Sequence, residues 1–473
     1  MLNRSDAKQC LPAIVLCLLS GVTLWGEATP QPASRVATAP GGAYNVLTLG
    51  AAGDGRTNDA AAIQKAVDTC HLAGGGRVLL PAGRTYLSGT IRLKANVDLH
   101  LEAGAILKGT TDRKAYGPQR ALIVAQDCNN VSITGGGTID GDSRAWMDGL
   151  VDDIFRAKPG RPGLMYLRGC RQVTLTDVTI RNCAAWTVHL LGCEDVLIQG
   201  IRIPNDLRVP NCDGIDPNRC RNVRIANCFL QAGDDGIVAK CTREASEYGP
   251  CENMVVTGCT IISRSCAIKI GTESSGDFRN FVFDSCVIYG SNRGLGIQLR
   301  DTGTVENIIF SDIVVNTQAH GPLWWGKAEP IYVTAVPRTA ETKLGRIRNI
   351  RFSNILCRGE NGVFVHGWKG RPIEDLVLDN VRVELGKWTT WPGGFYDLRP
   401  GIHEGVYEHK TAGVYVQHAT GVTLRNVKVV WGETRPDYFG SALEAHDVTG
   451  LELTDFKGQA AHPGKMPDRI IGE

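Results

Sequence analysis

Apolar and polar positions alternate with a period of two in short runs along this chain, and the runs themselves recur. Each unit opens on a small or polar turn residue, often Asn. An alternating strand follows, then a polar pair and a second short strand. Clear copies are Cys128-Asn129-Asn130-Val131-Ser132-Ile133, Cys170-Arg171-Gln172-Val173-Thr174-Leu175 and Cys220-Arg221-Asn222-Val223-Arg224-Ile225. The first strand residue falls at 131, 173, 196, 223, 254, 281, 308, 350, 376, 422 and 451. Most steps are 23 to 31 residues, and the longer ones of 42, 42 and 46 mark coils with an inserted loop. Strands this short cannot bury an apolar face alone, so the units must stack. The period of two and the abundance of Val, Ile and Thr exclude helical repeats. The pattern predicts an all-β, single-stranded right-handed parallel β-helix of roughly ten coils.

Two segments break the pattern. Ala60 to Cys70 (AAAIQKAVDTC) reads as a helix that caps one end of the solenoid, covering strand edges that would otherwise stay unpaired. At the start, Arg4 and Lys8 precede the apolar run Cys10 to Gly26, and a Pro/Ala/Thr-rich stretch follows. This reads as a signal peptide over residues 1–28 and a spacer over 29–42, leaving 43–473 as the catalytic domain. The expectation is a secreted or periplasmic protein with no membrane attachment after cleavage.

Composition adds exclusions. The chain has 473 residues, 51 basic against 49 acidic, for a net charge of +2 without long runs of one sign. No nucleic-acid partner is expected from such a balance, and a monomer is the expected state. Sixteen cysteines would suggest disulfides in an exported chain. Their placement argues otherwise: Cys128, Cys170, Cys193, Cys220 and Cys251 recur at one turn, and Cys228, Cys259 and Cys286 at another. Stacked about 4.8 Å apart, they form interior ladders of small reduced side chains. Cys241 and Cys251, flanking a charged loop, are the best disulfide candidates. Paired CxxC or His spacing is absent, so no metal or other cofactor is expected.

Candidate chemistry sits in Asn211-Cys212-Asp213-Gly214-Ile215-Asp216 and Gly233-Asp234-Asp235-Gly236, with Lys240 close behind. Carboxylates on neighbouring coils repel, and at least one then keeps its proton near neutral pH. Other landmarks are Gly50-Ala51-Ala52-Gly53-Asp54-Gly55, Gly137-Thr138-Ile139-Asp140-Gly141 with Trp146, Arg161-Pro162 and Trp186-Thr187-Val188-His189. Over residues 44 to about 310, these stretches and their order resemble glycoside hydrolase family 28, the polygalacturonases. The resemblance implies a parallel β-helix that hydrolyses α-glycosidic bonds in galacturonic-acid-containing pectic poly- or oligosaccharide with inversion. Asp234 would be the acid, and Asp213 with Asp235 would hold and deprotonate the water. Acid and base would stand roughly 6.5–9.5 Å apart.

Two positions depart from the family pattern. Where it has Gly-His-Gly, this chain has Ser265-Cys266-Ala267, and where it has Arg-Ile-Lys, it has Gln298-Leu299-Arg300. The carboxylates are kept, so the departures bear on substrate rather than on reaction. Asn211, Lys240, Lys269, Arg293, Gln298 and Arg300 are the candidate substrate-binding residues, the cations meeting a uronate. Inserts at 318–345 (His320, Trp324, Trp325, Lys327, Tyr332) and 386–412 (Trp388, Trp391, Phe395, Tyr396, His403) supply aromatic walls that favour exo action. Two alternatives stay open: a polysaccharide lyase on the same fold, and a non-catalytic carbohydrate-binding β-helix.

Overall fold

A computed structural model describes residues 41–370, 373–402 and 405–472. The leader, nearly all of the spacer, and His403 lie outside the described residues. No helix among these residues is long and apolar enough to cross a membrane.

The repeat becomes a right-handed parallel β-helix in which 34 strands join one continuous ladder. Three stacks run along it. The stack that carries the site passes through Gly163–Arg168, Val188–Leu191, Ile215–Asn218, Ile237–Cys241, Cys266–Ser274, Arg293–Leu299 and Ile331–Ala335. A second contains Arg171–Thr176, Glu194–Gln199, Arg221–Ala226 and Cys251–Thr257; a third, Thr179–Arg181, Arg202–Pro204, Phe229–Ala232 and Thr260–Ser263. Inward side chains alternate with outward ones, so the interior fills with ladders such as Phe283, Phe310 and Phe352, stacked at 4.8 Å.

The polar turn residue of each unit has a geometric task. Asn130, Asn222, Asn253, Asn280, Asn307 and Asn349 all hold φ between 54° and 62°, the left-handed region that Asn tolerates best among non-glycine residues. Their amides link coil to coil: Asn253 donates to Asn222 at 3.2 Å, Asn280 to Asn253 at 3.0 Å, Asn307 to Asn280 at 3.2 Å and Asn349 to Asn307 at 2.7 Å. The corner between the second and third stacks is tighter still. There two residues, such as Asn227-Cys228 or Gly258-Cys259, join the strands, the first again left-handed.

The cysteine ladders are reduced, and all the cysteines described except Cys128 are buried. The disulfide expected between Cys241 and Cys251 is not formed: both are free, and their thiols face different carbonyls, those of Asp277 and Pro217. The predicted helix spans Ala60–Leu72 and lays Ile63, Ala66, Val67 and Cys70 against the first coils. Asp59 ties its start by accepting from the Ala52 and Gly53 amides at 2.7 and 3.0 Å.

Candidate active site

The aspartates are set by strand register. Gly214 N donates to Asp235 O at 2.9 Å and Ile215 N to Gly236 O at 3.0 Å, with Ile215 opposite Ile237. Asp213 and Asp235 are therefore equivalent positions on adjacent coils, and Asp234 lies one residue before. The glycines make this approach possible. A Cβ at Gly214 would sit 2.4 Å from Gly236 O, and one at Gly236 would sit 2.4 Å from Ala267 O. Asn211, at φ 52°, turns the chain before Asp213 and donates through its backbone N and Nδ2 to Asp234 Oδ2 at 3.2 and 3.3 Å.

These groups line a cavity of about 400 Å³ with Lys240, Lys269, Glu273, Thr272, Trp186, Leu323, Trp324, Trp325, Arg338 and Pro400. Lys269 Nζ pairs with Asp235 Oδ2 at 2.6 Å, while Ser265 Oγ and Cys266 N donate to Asp235 Oδ1 at 2.8 and 3.2 Å. Lys240 Nζ stands 3.4 Å from Asp213, 3.6 Å from Asp216 and 3.5 Å from Glu273, and 4.7 Å from the centre of the Trp186 ring. Asp213 Oδ1 has no hydrogen-bond partner among the described residues.

Burial and crowding sort the protons. Desolvation, reinforced by the charges of Asp213 and Asp235, pushes Asp234 up to about 8. Burial lifts Asp216 to about 7, and burial with Asp216 beside it raises Asp213. Burial also disfavours a charged Glu273, but Lys240 and Lys269 outweigh it and hold this carboxylate down at about 2. Burial opposes the charge of Lys240 as well; Asp213, Glu273 and Asp216 overcome it and keep the ammonium above its ordinary range. Burial, with Lys240 nearby, drops His189 to about 3, leaving a neutral ring against Trp186.

Of the nine sequence candidates, the structure brings Asp213, Asp234, Asp235, Asn211, Lys240 and Lys269 into this cavity. Arg293, Gln298 and Arg300 are buried and do not line it. Arg293 lies 3.7 Å from the Tyr332 ring centre, donates to Glu329 at 3.1 Å and reaches Asp397 O at 2.7 Å. Arg300 donates to the carbonyls of Pro400 (2.6 Å) and Leu398 (3.2 Å), and to Thr334 Oγ1 at 3.0 Å. Arg300 has the outward parity, opposite to the core residues Leu295, Ile297 and Leu299; Arg293 has the inward parity, yet its guanidinium reaches Tyr332, Glu329 and Asp397. The 386–412 insert folds over them and turns them into its anchors. Cys266 is a buried thiol, its Sγ 3.2 Å from Ile268 O, and burial raises its pKa.

The walls come from inserts that brace one another. The hairpin of Met147–Val151 and Ile154–Ala157 offers Asp153, which accepts from Trp324 Nε1 at 3.0 Å and Gly321 N at 3.3 Å. In the next insert Asp397 accepts from Gly326 N at 2.9 Å, and Arg399 donates to Trp324 O at 3.0 Å. Trp388, Trp391, Phe395 and Tyr396 do not reach the cavity; Tyr396 packs instead on Phe364 and Tyr415. Arg338 and Glu273 were not among the sequence candidates. No motif spacing points to Arg338, whereas Glu273 sits four residues after Lys269 on the same strand, a signal within reach.

Residues 70–392 match the family model of Glycosyl hydrolases family 28. A probable polygalacturonase of Vitis vinifera is 32% identical over 263 residues, covering 50% of this chain and 52% of the relative. An exopolygalacturonase of Zea mays is 27% identical over 229 residues, covering 48% and 55%. The chain thus spans about half the length of the curated relatives it matches. The structure of a Thermotoga maritima exopolygalacturonase is similar with a TM-score of 0.62 at 27% identity, over 73% of this chain and 88% of that one. A Yersinia enterocolitica family 28 exopolygalacturonase shares the fold with a TM-score of 0.67 at 20% identity, over 86% and 78%. With all three aspartates inside the matched region, on the solenoid that the repeat predicts, the chain belongs to family 28 of the glycosyl hydrolases.

Proposed function

We propose that this chain hydrolyses α-glycosidic bonds in galacturonic-acid-containing pectic poly- or oligosaccharide, with inversion and from chain ends. The observation that carries the reading is the meeting of Asp213, Asp234 and Asp235 in one cavity, in unequal surroundings. Burial and the neighbouring carboxylates push Asp234 up to about 8, while Lys269 and two further donors hold Asp235. Asp234 protonates the glycosidic oxygen as the bond to the anomeric carbon breaks. Asp213 and Asp235 hold a water on the opposite face, and Asp235, paired with Lys269, takes its proton as it attacks.

Lys240 and Lys269 supply positive charge on the cavity floor for an acidic sugar. Exo action rests on the walls: Trp324, Trp325 and Pro400, from two inserts, join the lining of the cavity. The Zea mays and Thermotoga maritima proteins named above are themselves exopolygalacturonases.

The test is digestion of defined oligogalacturonates with and without chelator. The anomer released first is read by NMR and the products by chromatography. Inverted monomer or dimer from the outset supports the reading. Retained configuration, random mid-length products, or unsaturated products absorbing in the ultraviolet would sink the inverting, exo-acting or hydrolytic part respectively.

A further inference from the structure

We infer that Arg338, carried on the 318–345 insert, is the residue that reads the substrate's carboxylate and makes the cavity selective for a uronate. The inference rests on the function proposed above and names how that site chooses its substrate. Three cations line the cavity, and they differ in what they already hold. Lys269 is committed to Asp235 at 2.6 Å, and Lys240 is divided among Asp213, Asp216 and Glu273 at 3.4 to 3.6 Å. Both lysines are buried, and their charge is balanced by carboxylates of the site itself.

Arg338 is arranged differently. Its Nε and Nη2 donate in parallel to Asp301 Oδ1 and Oδ2, both at 3.0 Å, and Nη2 also reaches Thr272 O at 2.6 Å. These contacts fix the guanidinium plane. Nη1 has no hydrogen-bond partner among the described residues, and a third of the side chain stays open to solvent (34%). A planar cation held through Nε and Nη2, with Nη1 still to donate, is prepared to dock an incoming carboxylate. Gln298, which stands where the family pattern has a basic residue, offers no charge and does not line the cavity. Arg338 brings a guanidinium into the cavity from a different element.

The test compares Arg338→Met and Arg338→Lys with the parent on trigalacturonate and on its methyl-esterified counterpart. Arg338→Met should raise KM for trigalacturonate roughly 10- to 100-fold, the worth of a charged hydrogen bond. The rise for the ester should be much smaller, so that discrimination between the two collapses. Arg338→Lys should fall between, because an ammonium keeps the charge but cannot hold both oxygens of Asp301. Equal losses on both substrates at unchanged melting temperature would mean a merely structural role and overturn the inference. Calorimetry on the Asp234→Asn background, with trigalacturonate as probe, separates the two readings. Arg338-dependent binding without turnover in the parent would sink the hydrolase reading alone. Undiminished binding by the Asp234→Asn/Arg338→Met protein, or no binding by the Asp234→Asn protein, would overturn the role of Arg338.

Discussion

Replacing Asp234 with Asn deletes the proton that the mechanism spends while keeping almost all of the shape. The Asn oxygen can still accept from Asn211 N and Nδ2, which now stand 3.2 and 3.3 Å from Asp234 Oδ2. General acid catalysis is worth roughly 10²- to 10⁴-fold, so kcat on trigalacturonate should fall by that factor, about 3–5 kcal/mol of barrier. An aryl galacturonide whose leaving group needs no protonation should lose far less. The pH dependence follows from the same carboxyl. Wild-type kcat/KM should decline as pH rises through about 8, where Asp234 loses its proton. Stability carries the matching sign. The unfolded carboxyl ionises near its ordinary value of 3.8, whereas the folded one does so near 8. Between those values the folded state binds more protons, so stability decreases with rising pH and levels off above 8. The Asn variant lacks this term, and its melting temperature should vary less across the window. Rates on trigalacturonate within tenfold of wild type, or an alkaline limb that persists in the variant, would refute the assignment of Asp234 as acid.

Two further outcomes test the frame around the site. Asn280→Ala removes two inter-coil hydrogen bonds and puts Ala at φ 62°, and should cost about 2 kcal/mol in chemical denaturation; Asn280→Gly should cost less, and equal losses would show that backbone strain is not the cause. Arg300→Met strips the donors from Pro400 O and Leu398 O, so deuterium exchange across Phe395–Ile402 should speed up and KM should rise because Pro400 lines the cavity; unchanged exchange would show that Arg300 does not anchor the insert.

The solenoid was legible because its constraint is local and repeated. One Asn or Asp in the left-handed region, then an alternating strand, appears often enough that no single coil has to be decisive. The aspartates were legible for a related reason: both motifs lie on the regular coils, where register alone brings Asp213 beside Asp235. Arg293 and Arg300 show where that logic stops. Alternation gives Arg300 its outward direction but not Arg293, and whether either meets solvent, substrate or a folded-back insert depends on distant contacts, more than a hundred residues away in Arg293's case, with Asp397. Arg338 is the converse, a site residue on an irregular segment whose position depends on Asp301 and Thr272 rather than on any period. The Cys241–Cys251 pairing failed because proximity in sequence says nothing of which carbonyl each thiol will face.

The two-residue corner between the second and third stacks keeps its length from Asp177-Val178 to Ser285-Cys286, while the long inserts emerge at the corners beside the site-bearing stack. Lengthening the tight corner would displace a left-handed residue and the buried side chain after it, breaking the ladders on which those coils stack. Lengthening the other corners leaves those ladders intact and changes only the cavity's rim. The architecture therefore separates what must be inherited unaltered from what is free to vary. New specificities can be acquired by exchanging walls such as the one that carries Arg338, with the aspartates and the rod beneath them left untouched.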